Sequence, residues 1–280
     1  MPNHHSFILA GVMGWPIGHS RSPKIHNCWF AQYGLKGAYV PLKVEPAKLE
    51  TALRALPALG FSGCNLTIPH KEAALTVLDR IEENAARIGA VNCVVVEPDG
   101  ALTGKNYDGY GFVASLYEAA PKWQAASGPC IVIGAGGAAR AIVSGLIDAG
   151  AKEIRLFNRT RARAEKIAAD FGAPVAAYPW EERHEALAGA GLLVNATSQG
   201  MIGQEPLDLS LDALPTTALV ADIVYAPLET PLLAAARRMG ATPVDGLGML
   251  LHQARPAFRD WTGTMPDVTP ALRALIVADL

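Results

Sequence analysis

Residues 130–150 read C-I-V-I-G-A-G-G-A-A-R-A-I-V-S-G-L-I-D-A-G, a short apolar run, a glycine-rich turn and then an alanine-rich helical stretch. Within it Gly134, Gly136 and Ala139 satisfy G-x-G-x-x-G/A between a strand and a helix, the context in which the pattern carries weight. Glycines permit the tight turn and let backbone N–H groups of Gly134, Ala135, Gly136, Gly137 and Ala138 approach a pyrophosphate, whose charge a helix N-terminus favours. The alternative is a loop that serves only close strand-to-helix packing. About 20 residues on, an NAD site offers Asp or Glu to the ribose hydroxyls. This chain offers Asn158, Arg159 and Thr160 instead, after the strand-like stretch Ile154 to Phe157. Arg159 suits a 2′-phosphate as a fork of donors and Thr160 adds a hydroxyl; Arg163 either joins them or lies on a solvated helix face. The cofactor expected is therefore NADP.

Outward from this turn, short β-like runs alternate with helix-like runs, the pattern of parallel α/β architecture. Before it, FILAGVM, GAYVPLKV and SGCNLTI read as strands, and SPKIHNCWFAQYG and EPAKLETALRALPALG as helices. GAVNCVVVEPDGALTGKNYD reads as a hairpin around Pro98-Asp99-Gly100, and a helix from about Tyr110 ends at Pro121, where PKWQAASGP reads as a linker. After it, IRLFNRT, LLVNATSQGM, ALVADIVY and ATPVDG continue the second unit. LGMLLHQARPAFRDWTG and TPALRALIVADL read as closing helices that return to the first unit.

Composition narrows the class. Of 280 residues half are hydrophobic and 18% charged, enough for a sizeable core and two domains. A formal net charge of -2 and the lack of a basic run argue against nucleic acid or an anionic membrane as partner. The N-terminus meets Gly14 and Pro16 too soon for a signal or membrane span, so a cytoplasmic enzyme is expected. Cys28, Cys64, Cys93 and Cys130 form no C-x-x-C and read as buried thiols. The seven His residues are scattered, His4 and His5 on a terminus, so no metal site is expected.

The heptapeptide Asn65 to Lys71, N-L-T-I-P-H-K, asks for a chemical reason. If it is extended, Asn65 and Thr67 share one face and Leu66 and Ile68 the other. Pro69 then opens a helix and leaves Lys71 in its first turn, against the helix dipole. Ser20 and Ser22 precede another helix, where one capping serine would suffice. Taken together, S-x-S-P at 20–23, N-x-T-x-P-x-K at 65–71, A-V-N at 90–92, N-x-D-G at 106–109, G-A-G-G-A-A-R at 134–140, N-R-T at 158–160, N-A-T-S-x-G-M at 195–201 and D-G-L-G-M-L-x-x-Q at 245–253 resemble the shikimate dehydrogenase family, in that family's order and over essentially the whole chain.

The resemblance implies an N-terminal α/β substrate-binding domain with a mostly parallel sheet (1–121 with 248–280) and a C-terminal Rossmann NADP-binding domain (122–247), with the active site in the cleft between them. It implies that Ser20, Ser22, Asn65, Thr67, Asn92, Asp108 and Gln253 hold the carboxylate and hydroxyls of shikimate, that Tyr225, at the end of the strand in D-I-V-Y, lines the substrate side, and that Lys71 and Asp108 form the catalytic pair. Thr197, Ser198, Ile223, Gly246 and Met249 are implied near the nicotinamide, with turn chemistry as the alternative for Ser198 and helix packing for Met249. A facing cofactor and the helix N-terminus would ease proton loss from Lys71 relative to its reference pKa of about 10.4. The implied reaction is reversible reduction of 3-dehydroshikimate by NADPH in aromatic amino-acid biosynthesis, by a monomer or homodimer whose partners are small molecules. Two readings compete. Ser22 and Arg159 argue against a quinate/shikimate enzyme of relaxed substrate or NAD use, and the pair Lys71 and Asp108 argues against a catalytically idle NADP-binding sensor. One departure from the family stands out: Tyr107 occupies the position usually held by Thr.

Overall fold

The computed structural model describes residues 7–280, which form two compact units: 7–107 with 253–279, and 108–252. In the first, β1 (Ile8–Gly14), α1 (Ser22–Gln32), β2 (Gly37–Lys43), α2 (Leu49–Ala55), β3 (Phe61–Leu66), α3 (His70–Ala73), β4 (Arg80–Ile81), α4 (Glu83–Ile88), β5 (Cys93–Val96) and β6 (Leu102–Lys105) follow in order. Their strands form a sheet in the order β2-β1-β3-β5-β6-β4. The pairs β1–β2, β1–β3 and β4–β6 are parallel, whereas β3–β5 and the hairpin β5–β6 are antiparallel. The run EPAKLETALRALPALG, expected as one helix, carries only α2 after a 3-10 turn at 46–48; Pro57 has no N–H with which to extend it.

The second unit contains α5 (Asp108–Ala119), β7 (Cys130–Ile133), α6 (Gly137–Asp148), β8 (Ile154–Phe157), α7 (Arg161–Phe171), β9 (Val175–Ala177), β10 (Leu192–Asn195), β11 (Leu219–Asp222), α8 (Pro231–Met239), β12 (Thr242–Val244) and the start of α9 (Gly246–Thr262). All neighbours in its sheet β12-β11-β10-β7-β8-β9 are parallel. Cys130, Ile131, Val132 and Ile133 are all fully buried because helices cover both faces, which is why that strand is apolar without alternation. The strand order reverses between β7 and β10, the crevice where open α/β sheets bind ligands.

The units divide at 107/108 and 252/253, whereas the junctions expected from the chain lay at 121/122 and 247/248. Helix α5 goes with the second unit because it crosses α6 backbone to backbone. A Cβ on Gly109 would stand 2.5 Å from the Ala141 oxygen, and one on Gly145 2.7 Å from the Gly109 oxygen. Gly145→Ala, a change that inside a helix ordinarily stabilises by up to about 1 kcal/mol, is therefore expected to destabilise by about 1–3 kcal/mol through overpacking. Denaturant unfolding of the whole chain checks it; a midpoint at or above wild type would show that the crossing yields.

The remainder of α9 and α10 (Pro270–Val277) belong to the first unit. Trp29 Nε1 donates to the Asp267 oxygen at 3.1 Å and Trp261 Nε1 to the Val94 oxygen at 3.1 Å.

Candidate active site

One end of the first sheet, where its interior strands β3, β5 and β6 meet, gathers most of the residues assigned to substrate. β3 ends beside the start of β5, and the Leu66 N–H donates to the Asn92 oxygen at 2.9 Å. The Asn92 N–H donates in turn to the Lys105 oxygen at 3.0 Å, so β6 finishes at the same end. Beyond β3, the Thr67 N–H still reaches the Met13 oxygen of β1 at 3.0 Å. Asn65 and Asn92 are buried, at 6% and 2% exposure, and Thr67 and Lys71 are half-buried. The Lys71 carbonyl accepts from the Val91 N–H at 2.8 Å, which pins the lysine backbone beside Asn92. Asn92 Nδ2 donates to Gln253 Oε1 at 3.4 Å, and its Oδ1 accepts from the Tyr107 N–H at 2.9 Å, one residue before Asp108. Asp108 is the first residue of α5, where a carboxylate suits the helix dipole. Ser22 is buried and opens α1, and Ser20 Oγ accepts from the Ser22 N–H at 3.3 Å.

Two details of the heptapeptide differ from its reading. Ile68 is 75% exposed although Leu66 is buried, because the chain leaves the strand at Thr67, whose carbonyl takes the His70 N–H at 2.8 Å. The helix after Pro69 is a single turn, His70–Ala73, with Pro69 as its N-cap, so the aligned dipole opposing Lys71 is short. His70 is structural, its Nε2 lying 2.9 Å from the Val44 oxygen. His26 is buried in an aromatic cluster, and burial lowers its pKa to about 3, leaving a neutral ring; His19 is exposed.

In the second unit the glycine-rich turn follows β7. Gly134 has φ +116°, and a Cβ there would stand 2.9 Å from the Ala196 oxygen, so it is confined to glycine by conformation and by the neighbouring loop. Gly136 caps α6 and faces open space, as does Gly137, leaving room for a ligand against bare backbone. Ala135 packs at the core edge and Ala138 lies in the first turn of α6. At the end of β8, Asn158 Nδ2 donates to the Thr160 oxygen at 2.8 Å, and Thr160 caps α7 by position without a side-chain bond. Arg161 pairs with Glu165 at 2.7 Å, whereas Arg159 and Arg163 are exposed and have no ion-pair partner among the described residues.

The loop after β10 is organised by Asn195. Its Oδ1 accepts from the Thr197 N–H at 3.1 Å and the Thr197 hydroxyl at 2.7 Å, and its Nδ2 donates to the Gln199 oxygen at 3.0 Å and to Asp222 Oδ1 at 3.1 Å. The Thr197 hydroxyl is thus engaged in the turn, while Ser198 is exposed. Asp222 carries no sequence signal of its own, yet it also accepts from the Val224 N–H at 3.0 Å and from Thr230 Oγ1 at 2.8 Å. Burial raises its pKa. Its bond to Val224 curls the chain out of the sheet, so β11 ends at Asp222 and Tyr225 stands three residues past the strand it was expected to end, half-buried and within the second unit. Ile223 and Met249 pack at the core edge, and a Cβ on Gly246 would lie 2.2 Å from the Ile223 oxygen.

Tyr107 has a partner that its sequence context does not reveal. Its hydroxyl bonds to Asp260, which also meets Lys105 at 3.0 Å and Arg259 at 3.1 Å. Burial, and the Asp260 carboxylate in addition, push the phenol well above its usual range, so it remains a donor. Because this anchor is separate from the Asn92 bond made by the Tyr107 backbone, Tyr107→Thr is expected to change kcat/KM for shikimate by less than about tenfold. A hundredfold change, or a switch of preferred substrate, would place the ring among the reacting groups.

Cys64, Cys93 and Cys130 are buried free thiols and Cys28 is half-buried. Burial raises the three, Cys130 to about 12, which keeps them protonated and inert. Among the described residues there is no group of three metal-ligating side chains; His4 and His5 lie outside them. No helix of the described residues is long and apolar enough to cross a membrane.

Residues 12–94 match the shikimate dehydrogenase substrate binding domain, 119–224 the shikimate / quinate 5-dehydrogenase family and 246–276 the shikimate 5′-dehydrogenase C-terminal domain. The shikimate dehydrogenase (NADP(+)) of Paramagnetospirillum magneticum is 56% identical over 270 residues, 96% of this chain and 98% of that protein. A shikimate 5-dehydrogenase of Thermus thermophilus, solved in complex with NADP(H) and shikimate, superposes with TM-score 0.86 at 37% identity, covering 97% of this chain and 99% of its own. The ligand-free 5-ketofructose reductase of a Gluconobacter strain superposes with TM-score 0.90 at 34% identity, covering 98% and 99%.

Proposed function

Because the chain belongs to the shikimate dehydrogenase family, we propose that it catalyses the reversible NADPH-dependent reduction of 3-dehydroshikimate to shikimate, a step of aromatic amino-acid biosynthesis. The observation that carries the reading is the convergence of Asn65, Thr67, Lys71 and Asn92 at one end of the interior strands, with Tyr107 bonded to Asn92 and Asp108 next in the chain. Short hydroxyls, amides and one carboxylate match a polyol acid, whose own groups are donors and acceptors in close succession.

NADP suits the residues present: bare backbone at Gly136 and Gly137, the N-terminus of α6, and Arg159, Thr160 and Arg163 around the start of α7. That first turn holds no acidic residue and two arginines, an arrangement the helix dipole opposes until an anion arrives. Bound NADPH supplies the hydride. The chain's part is proton transfer and orientation. Ser20, Ser22, Asn65, Thr67, Asn92 and Gln253 hold the carboxylate and hydroxyls. Lys71 gives its proton to the carbonyl oxygen as the carbon is reduced, and takes it back in the reverse direction. Asp108 accepts from a substrate hydroxyl and orients the lysine. Tyr225 lines the substrate side, and Thr197, Ser198, Ile223, Gly246 and Met249 fill out the nicotinamide end.

Cofactor absorbance with purified protein tests this, with shikimate or quinate and NADP or NAD in all four pairings. Turnover greatest with shikimate and NADP is expected. Turnover greatest with quinate and NAD would assign the enzyme to the other branch of the family, and none in any pairing would refute the reading.

A further inference from the structure

Tyr39 on β2 is 1% exposed, and α1 holds it from two directions. Asn27 clamps its backbone, accepting from the Tyr39 N–H and donating to the Tyr39 oxygen, each at 2.9 Å. The His26 ring stacks on the phenol at 4.2 Å with an interplanar angle of 5°. Neither ring nitrogen of His26 has a hydrogen-bond partner among the described residues, so this neutral imidazole serves as an aromatic wall. The phenol is thereby aimed at one place. Its hydroxyl donates to Asn65 Oδ1 at 2.7 Å.

A carboxamide has two orientations of nearly equal shape, and only its partners choose between them. With Oδ1 committed to the Tyr39 donor, Asn65 Nδ2 faces the Asn92 carbonyl and donates to it at 2.9 Å. The amide nitrogen carries two hydrogens, so one remains for a ligand. From this geometry we propose that Tyr39 is a positioning residue: its hydroxyl, together with the Asn92 carbonyl, fixes the Asn65 amide so that an N–H, and not the carbonyl, meets the substrate. The site then presents a donor from Asn65 to an oxygen of the substrate, the polarity that a carboxylate or a hydroxyl lone pair requires. Reversed, the same amide would set its carbonyl against an anionic oxygen and against the Asn92 carbonyl, acceptor facing acceptor, a buried mismatch. The inference rests on the reading of Asn65 as a substrate residue.

Tyr39→Phe keeps the ring and its stack and removes one hydroxyl. In the wild-type background KM for shikimate is expected to rise about five- to tenfold, the range of one neutral hydrogen bond, with KM for NADP+ moving less than about twofold and kcat less than about threefold. In an Asn65→Ala background the same change is expected to move KM for shikimate less than about twofold, because there is no amide left to orient. An unchanged KM in Tyr39→Phe, or an equal rise with and without Asn65, would overturn the proposal. Asn65→Asp supplies a second measurement that leaves Tyr39 intact: it keeps the acceptor and loses the N–H, so KM should rise at least as far as in Asn65→Ala. Wild-type affinity in Asn65→Asp would also overturn it. Wild-type enzyme with shikimate and NADP+ separates the two claims: no turnover there refutes the functional reading, whereas normal turnover with an unmoved KM in Tyr39→Phe refutes only the role of Tyr39.

Discussion

Lys71→Met is expected to lower kcat by about 10²–10⁴-fold while KM for shikimate changes by less than about tenfold. The asymmetry follows from what the substitution removes. The backbone of Lys71 is held by its carbonyl, which takes the Val91 N–H, and by the turn of α3, so the position survives loss of the side-chain charge. Met retains most of the apolar stem, and with it the packing that a Lys stem supplies. What disappears is the ammonium, the group that hands a proton to the developing alkoxide. Binding of the ground-state polyol is spread over several hydroxyls and amides and depends little on it. Steady-state kinetics in both directions separate kcat from KM. Turnover near wild type would remove Lys71 from the mechanism, and a large KM effect at normal kcat would make it a binding residue only.

Arg159→Ala should raise KM for NADP+ by about 10- to 100-fold and leave KM for NAD+ within about threefold. One charge-assisted hydrogen bond is worth about 1.5–3 kcal/mol, and a guanidinium can give two to a phosphate. NAD has no 2′-phosphate for Arg159 to meet. Arg161, between the two candidate arginines, is already paired with Glu165 and is expected to compensate poorly. The advantage of NADP should also shrink as ionic strength rises, since Arg159 is exposed and screening acts on it directly. Kinetics with each cofactor at two salt concentrations check both statements. Equal losses for NADP and NAD would show that Arg159 supports the pyrophosphate or the fold instead.

The nucleotide-binding half was the most legible part of the chain, because its rules are local. A buried parallel strand is an apolar run and a tight strand-to-helix turn needs glycine; β7 is fully buried, and Gly134, with φ +116°, opens the turn that leads into α6. The substrate half was legible through the order of its motifs, and periodicity served less well there. Alternation predicted a common face for Leu66 and Ile68, yet Ile68 is exposed, since a turn bond between Thr67 and His70 ends the strand one residue too early for alternation to persist. The end of β11 was misread for a similar reason: the Asp222 side chain competes for the Val224 N–H, and nothing in D-I-V-Y announces that it will.

The sequence by itself thus determined the alternation of elements, the place of the glycine-rich turn, the preference for NADP over NAD as an expectation of charge, and the identity of the groups available for proton transfer. Each depends on residue type and short spacing. Only the tertiary structure decided which groups those residues answer to. Tyr39 and Asn65 are 26 residues apart, and Tyr107 and Asp260 are 153 apart. These pairs meet because β2 and β3 flank β1 in the sheet and because α9 returns to the first unit. A hydrogen bond between side chains is set by the order of strands and the docking of helices, and hydrophobic periodicity records only which face of an element is buried, not which distant donor will stand opposite it.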